Sequence, residues 1–251
     1  MKNSKIKMDI AFYLYASIGV IIFGIAKGGF AGPASILAVP IMALAMNPAV
    51  AAGILLPVLL IMDLIAIYFY WKKWDIKLAK IILPPAIMGI IIGGLTFQFI
   101  NANNIKVLIG TICILFLFLT FFKKSNFFFK PTINKGRFWS LISGYTSCII
   151  HAGGQPISFY LLPLKLDKTT YVGTATLVFL FINLFKLIPY HFLDLLVFSN
   201  LKISLILSPL APISIYFGYF LHKKFNDKIF YLLIYILLGV SGVKLIYDGL
   251  F

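Results

Sequence analysis

The 251-residue chain is 61% hydrophobic and 12% charged, where a soluble domain is about 45–50% apolar and about 25% charged. Its residues leave too little polar surface to cover a water-soluble globule. The formal charge is +15, from 22 Lys+Arg and 7 Asp+Glu, but the lysines cluster between apolar stretches. That placement fits short loops obeying the positive-inside rule and argues against a nucleic-acid partner.

The expected fold is therefore all-α, a polytopic bundle of membrane helices. The start, Met1 to Lys7 followed by an apolar run, superficially resembles a secretory signal. No small-x-small cleavage site leads into a soluble domain, so it reads as an uncleaved first segment. Apolar segments follow at 10–26, 34–45, 49–71, 78–100, 105–122, 138–150, 157–166, 170–193, 201–221 and 229–250. A bilayer core of about 30 Å needs roughly 20 helical residues. The segments flanking two glycine-rich interruptions are too short, and the remaining six are long enough to span.

The first interruption is Gly24-Ile-Ala-Lys27-Gly28-Gly29-Phe-Ala-Gly32-Pro33, ending in Val39-Pro40. The second is Gly144-Tyr-Thr-Ser-Cys-Ile-Ile-His151-Ala-Gly153-Gly154-Gln155-Pro156, running on to Pro163. In lipid a broken backbone survives only where protein or a polar cavity surrounds it. Paired broken segments in the two halves of a chain point to a transporter's binding site. One constant offset places Pro33 on Gln155-Pro156's proline, Pro40 on Pro163 and Asp63 on Lys186. The expected organisation is a first repeat over 1–122, a basic linking loop over 123–137 and a second repeat over 138–251, each one broken element plus three spans. Charge does not choose between a broken element that crosses once and a re-entrant hairpin, because both divide Lys and Arg equally unevenly. The half-length pieces favour the hairpin, and with it inverted repeats.

Glycines at such breaks permit positive φ and close approach to a solute, and Pro33 and Pro156 suit the first turn of a short helix. Helix N-termini at both breaks suit an oxyanion. The alternative is that the glycines only allow tight helix packing. Gly28, Gly29, Gly153, Gly154 and Gln155 are the candidate backbone and amide contributors.

Ionisable groups inside apolar spans are costly and usually functional. Lys186 shares a helical face with Asn183, an arrangement able to hold an anion, although Lys186 could instead snorkel to the interface. His151 can hydrogen-bond a solute or carry a proton, or be a structural histidine. Asp63 is a candidate proton acceptor, or else the partner of Lys27, which itself supplies positive charge at the first break. His191, Asp194 and Lys244 lie near segment ends and read as interfacial. Cys113 and Cys148 lack metal-type spacing, and Cys148 reads as a packing residue. No nucleophile elbow, paired metal-binding histidines or P-loop occurs, so no cofactor, metal or enzymatic reaction is expected.

Gly144 to Pro156, Tyr160 to Thr174 and Asn183 to Tyr190 resemble the TauE/SafE sulfite-exporter-like transporters. The likeness is contiguous and specific in the second half and looser from Lys27 to Pro40. The resemblance implies secondary transport of sulfur oxyanions or organosulfonates, typically outward, at the bacterial inner membrane. Its partners would be a small anion and the lipid bilayer, and a homodimer is compatible with it. Gln155 departs from the family pattern, which often has proline directly after the paired glycines, so specificity is expected to differ there. A passive anion channel, a carboxylate transporter and a membrane enzyme on lipid-linked substrates are the competing readings.

Overall fold

The computed structural model describes residues 10–31, 38–43, 45–99, 101–122 and 131–251, and no strand occurs among the described residues. The first half holds α1 (Ile10–Phe30), α2 (Ala38–Ala43), α3 (Pro48–Phe69), α4 (Ile76–Thr96) and α5 (Ala102–Phe122). The second holds α6 (Ile133–Ile150), α7 (Gly154–Leu161) with a 3-10 turn at Leu162–Leu164, α8 (Lys168–Phe192), α9 (Phe198–Leu207), α10 (Leu210–Lys224) and α11 (Asp227–Leu250). Helices α1, α3, α4, α8 and α11 are each long and apolar enough to cross a bilayer. The chain is a polytopic α-helical membrane protein.

Polar caps fix where the spans begin. The side chain of Asn47 accepts from the Ala49 amide at the start of α3. Asp75 accepts from Lys77 and Leu78 ahead of α4, and Asp167 from Thr169 and Thr170 ahead of α8. Each satisfies an amide that has no partner inside its helix.

Three expectations need correction. The apolar run 201–221 is not one continuous helix: it divides at Ser208-Pro209 into α9 and α10, bent by 49°. Pro209 lacks the N–H that would continue the α9 ladder and clashes with the preceding turn. The pieces before each break are also longer than read. Helix α1 continues through Gly28 and Gly29 to Phe30, and α6 begins at Ile133, absorbing Lys135 and Arg137 from the supposed linking loop. Finally, no described glycine has positive φ; left-handed backbone falls at Ala31, Lys72, His151, Lys165 and Asp194 instead. The stretch 32–37, including Gly32 and Pro33, and 123–130 of the basic loop lie outside the described residues.

At both breaks the chain turns back on itself. A Cβ on Gly19, in the middle of α1, would meet Met42 of α2. Likewise Gly153 sits against Ser143 and Ser147, while a Cβ on Gly136 would meet the Tyr160 ring, so α7 runs back along α6. Helices α3 and α8 form the centre: more than half of each apolar stretch is buried, against about a third for α11. They are antiparallel: Gly53 early in α3 abuts the Leu195 carbonyl just past α8, and Gly173 early in α8 abuts the Lys73 carbonyl just past α3.

The same contacts recur in both halves. Tyr70 Oη donates to the Gly28 carbonyl at 2.7 Å, and Tyr190 Oη donates to the Cys148 carbonyl at 2.9 Å. The 120-residue separation of Asp63 and Asn183 also relates Asn47 to Asp167, Gly53 to Gly173, Tyr70 to Tyr190 and Ala31 to His151. Around this centre α1 packs on α10 and α4 on α6. Backbone contact is close in both: Gly28 and Gly29 face Ile215 and Gly218, and Gly144 faces Ala86. Large exposed apolar side chains such as Leu95, Leu205, Ile213 and Val243 form the outer, lipid-facing surface.

Candidate functional site

Where α3 and α8 cross, the ends of α1 and α6 converge on a buried polar cluster. Lys27 and Asp63 make an ion pair at 2.6 Å, with Lys27 4% and Asp63 0% exposed, far from bulk water. Lys27 Nζ also donates to the Leu59 carbonyl at 3.3 Å. The second oxygen of Asp63 accepts from Asn183 Nδ2 at 2.7 Å. The structure pairs Asp63 with Lys27, and Lys186, fully buried, does not snorkel.

Lys186 Nζ lies 2.9 Å from His151 Nδ1, 3.4 Å from Ser147 Oγ and 3.5 Å from Asn183 Oδ1. It also lies 5.3 Å from the centre of the Tyr190 ring, a cation–π contact. On its other nitrogen His151 meets the Ala52 carbonyl at 3.2 Å and Tyr190 Oη at 3.1 Å. A carbonyl only accepts, so Nε2 carries the hydrogen; an ammonium only donates, so Nδ1 offers its lone pair. His151 is held as the neutral imidazole by these partners.

The break that presents His151 is built from hydrogen bonds. His151 follows α6 with φ 54, its amide donating to Ser147, while the Ala152 amide reaches the Thr146 carbonyl at 3.2 Å. This is an αL ending, with histidine in the position glycine usually fills. Thr146 and Ser143 hydroxyls donate to the Ala152 and Gly153 carbonyls at 3.1 and 2.7 Å, satisfying oxygens that the break would otherwise strand. Helix α7 then starts at Gly154 with no side-chain cap, and Pro156 falls in its first turn as its sequence predicts.

A cavity of about 20 Å³ opens between these elements. Polar and glycine positions on it are Lys27, Ser147, His151, Gly153, Gly154, Thr176 and Asn183, with Phe23, Leu59 and Phe179 among its apolar walls. That volume holds about one water and is too small for a sulfur oxyanion, so the site is closed down in this conformation. Leu59 and Asn183 lie towards the middle of α3 and α8, which sets the cavity near mid-membrane.

Of the residues singled out from sequence, Lys27, His151, Gly153, Gly154 and Asn183 come together on the cavity. Asp63 and Lys186 stand directly behind it, bonded to lining side chains. Gly28 and Gly29 do not line it; they are helical and serve the α1–α10 contact. Gln155 is buried in α7 and is not among the lining residues. Cys148 packs against Gly93 beside the site. Sequence reasoning passed over Ser147 and Thr176. Ser147 lies one turn before His151 and Thr176 two turns before Asn183, so helical periodicity from the known candidates would have found both. Thr176 is 2% exposed, and its Oγ1 has no hydrogen-bond partner among the described residues.

Comparison with known families decides the class. The family model described as Sulfite exporter TauE/SafE matches residues 16–245. The chain belongs to the TauE/SafE sulfite exporter family. No curated protein and no solved structure matches it. TauE/SafE membership makes this a membrane transporter of sulfite or related anions.

Proposed function

We propose that this TauE/SafE protein is a secondary transporter that exports sulfur-containing oxyanions or organosulfonates across the bacterial inner membrane, with protons accompanying those cargoes that need Asp63 protonated. The observation that carries the reading is the mid-membrane cavity, where Gly153 and Gly154 at the start of α7 meet Lys27, Asn183 and the Thr176 hydroxyl. The uncapped N-terminal end of α7 offers partial positive charge and amide donors to cargo oxygens. Lys186 supplies positive charge through His151 and Asn183 from the layer behind. Asp63 is the proton acceptor. The recurrence of caps, tyrosine bonds and glycine contacts at a 120-residue offset, on antiparallel α3 and α8, supports two inverted repeats with re-entrant hairpins at α1–α2 and α6–α7. Rocking of one repeat against the other would then open the closed cavity to each side in turn.

Flux into reconstituted vesicles tests this. Sulfite, a sulfonate or a small carboxylate is expected to cross saturably and faster than in empty vesicles, and Lys186→Ala is expected to abolish the effect. Failure of all three anions to cross overturns the reading. Unsaturated electrical conductance would replace the carrier with a channel.

A further inference from the structure

The charged groups behind the cavity form an unequal set. Lys27 and Asp63 cancel as a pair. His151 is neutral, its Nδ1 turned to Lys186 and its Nε2 to a carbonyl. Lys186 therefore has no carboxylate of its own. The other described carboxylates, Asp75, Asp167, Asp194, Asp227 and Asp248, lie at the ends of helices. While Lys186 is protonated, the closed site holds one positive charge more than it can neutralise, and a buried unpaired charge is unfavourable. A cargo carrying one negative charge removes that imbalance. A dianion would reverse it.

The geometry also provides the second charge that a dianion would need. Lys27 lines the cavity, whereas Asp63 does not. Asp63 Oδ1 faces Lys27 and Oδ2 accepts from Asn183. A proton placed on Oδ1 cancels the attraction for Lys27 and leaves the Asn183 bond intact. Lys27 keeps its own proton and is released towards the cavity as a second cation. The groups facing Asp63 are Lys27 on α1 and Asn183 and Lys186 on α8. Helix α2 has no ionisable residue, Lys202 of α9 is exposed, and His222, Lys223 and Lys224 lie in the last turn of α10.

We infer that the Lys27–Asp63 pair sets the charge of the cargo, so that one net negative charge crosses per cycle, either as a monoanion alone or as a dianion with one proton on Asp63. The inference rests on the transport reading above and deepens it to the charge class of the substrate.

The test uses vesicles containing the full chain, with two probes of fixed charge: methanesulfonate, a monoanion, and sulfate, a dianion near neutral pH. Reversal potentials give the charge moved per anion, and an internal pH dye gives accompanying protons. Both probes should move one net charge, with one proton for each sulfate and none for methanesulfonate. Sulfate flux should rise as the pH falls, and methanesulfonate flux should not. In Asp63→Asn, sulfate should move two charges and no proton. Sulfate that crosses the wild type without protons, or fails to cross while methanesulfonate does, overturns the inference and leaves the transport reading standing. If neither probe nor sulfite crosses, the transport reading itself fails, and this inference with it. The wild-type arm decides the matter even if Asp63→Asn does not fold.

Discussion

Asn183 donates a hydrogen bond to Asp63 at 2.7 Å where the middles of two antiparallel helices cross, and the two residues occupy matching positions in the two halves of the chain. The match extends outwards to Tyr70 and Tyr190, each bonding a carbonyl near the end of its own broken helix. At the centre the likeness stops. One half places a carboxylate where the other has an amide, and one places its cation on α1 as Lys27, the other on α8 as Lys186. Matching positions in the two halves thereby carry one carboxylate between them, Asp63.

Lys27→Met and Asp63→Asn are each expected to destabilise the protein by about 3–5 kcal/mol, because each strands a buried charge. The double substitution removes both charges and should cost clearly less than the sum. Unfolding midpoints in detergent measure this cycle. Additive effects would mean that the pair is not coupled.

Tyr70→Phe and Tyr190→Phe should each lower stability by about 1 kcal/mol, the net value of one buried hydrogen bond. Their effects on transport should diverge. The Tyr190 hydroxyl also meets His151 Nε2 at 3.1 Å, whereas Tyr70 holds only the end of α1. Tyr190→Phe is therefore expected to lower flux more than Tyr70→Phe at equal loss of stability. Equal flux in the two variants would separate His151 orientation from transport.

His151 sits at φ 54, a conformation that costs a non-glycine residue roughly 1–2 kcal/mol. His151→Gly relieves that strain while losing the imidazole, and His151→Ala loses the imidazole and keeps the strain. The glycine variant should be the more stable by about 1 kcal/mol, and both should lose transport. Chemical unfolding of the two variants decides the order.

The charged part of the site was legible because a lysine, aspartate or histidine in an apolar run is too costly to be incidental. Which glycines touch the cavity was not. Gly28-Gly29 and Gly153-Gly154 look alike in sequence, yet one pair brings two helices into backbone contact and the other begins a helix at the cavity. The prolines also misled the register between halves. Pro40 lies in α2, whereas Pro163 lies in the 3-10 turn after α7, so they mark connections of different build. The spans themselves follow the offset of Asp63 and Asn183. Pro209 did carry a signal for the α9–α10 bend, but apolar length alone concealed it.

Asp167 caps α8 outside the membrane-spanning segment. Partial burial pushes its carboxyl up, but hydrogen bonds from the Thr170 side chain and from the Thr170 and Thr169 amides outweigh this and hold it below the ordinary carboxylate range. A group lowered on folding stabilises above its unfolded value and loses that contribution as pH falls through its folded value. Asp167→Ala should therefore cost about 1 kcal/mol at neutral pH and progressively less in acid. Asn47→Ala removes the matching cap of α3, which cannot titrate, and its cost should not change with pH. Parallel unfolding series at neutral and acid pH test the contrast.

Thr176 separates cargo binding from folding most directly. Its hydroxyl is buried, lines the cavity and meets no partner among the described residues, so the folded state gains nothing from it. Replacing it with valine, similar in shape, removes a buried unsatisfied group and should leave stability unchanged or slightly raised. A hydrogen bond to a charged partner contributes roughly 1.5–3 kcal/mol, so loss of the hydroxyl should weaken anion binding by about 10- to 100-fold. Thr176→Ser, which keeps the oxygen, should retain most of the affinity. Sulfite-dependent protection against thermal unfolding measures binding in all three proteins. Equal protection in the threonine and valine forms would place the cargo away from α8 and remove Thr176 from the site.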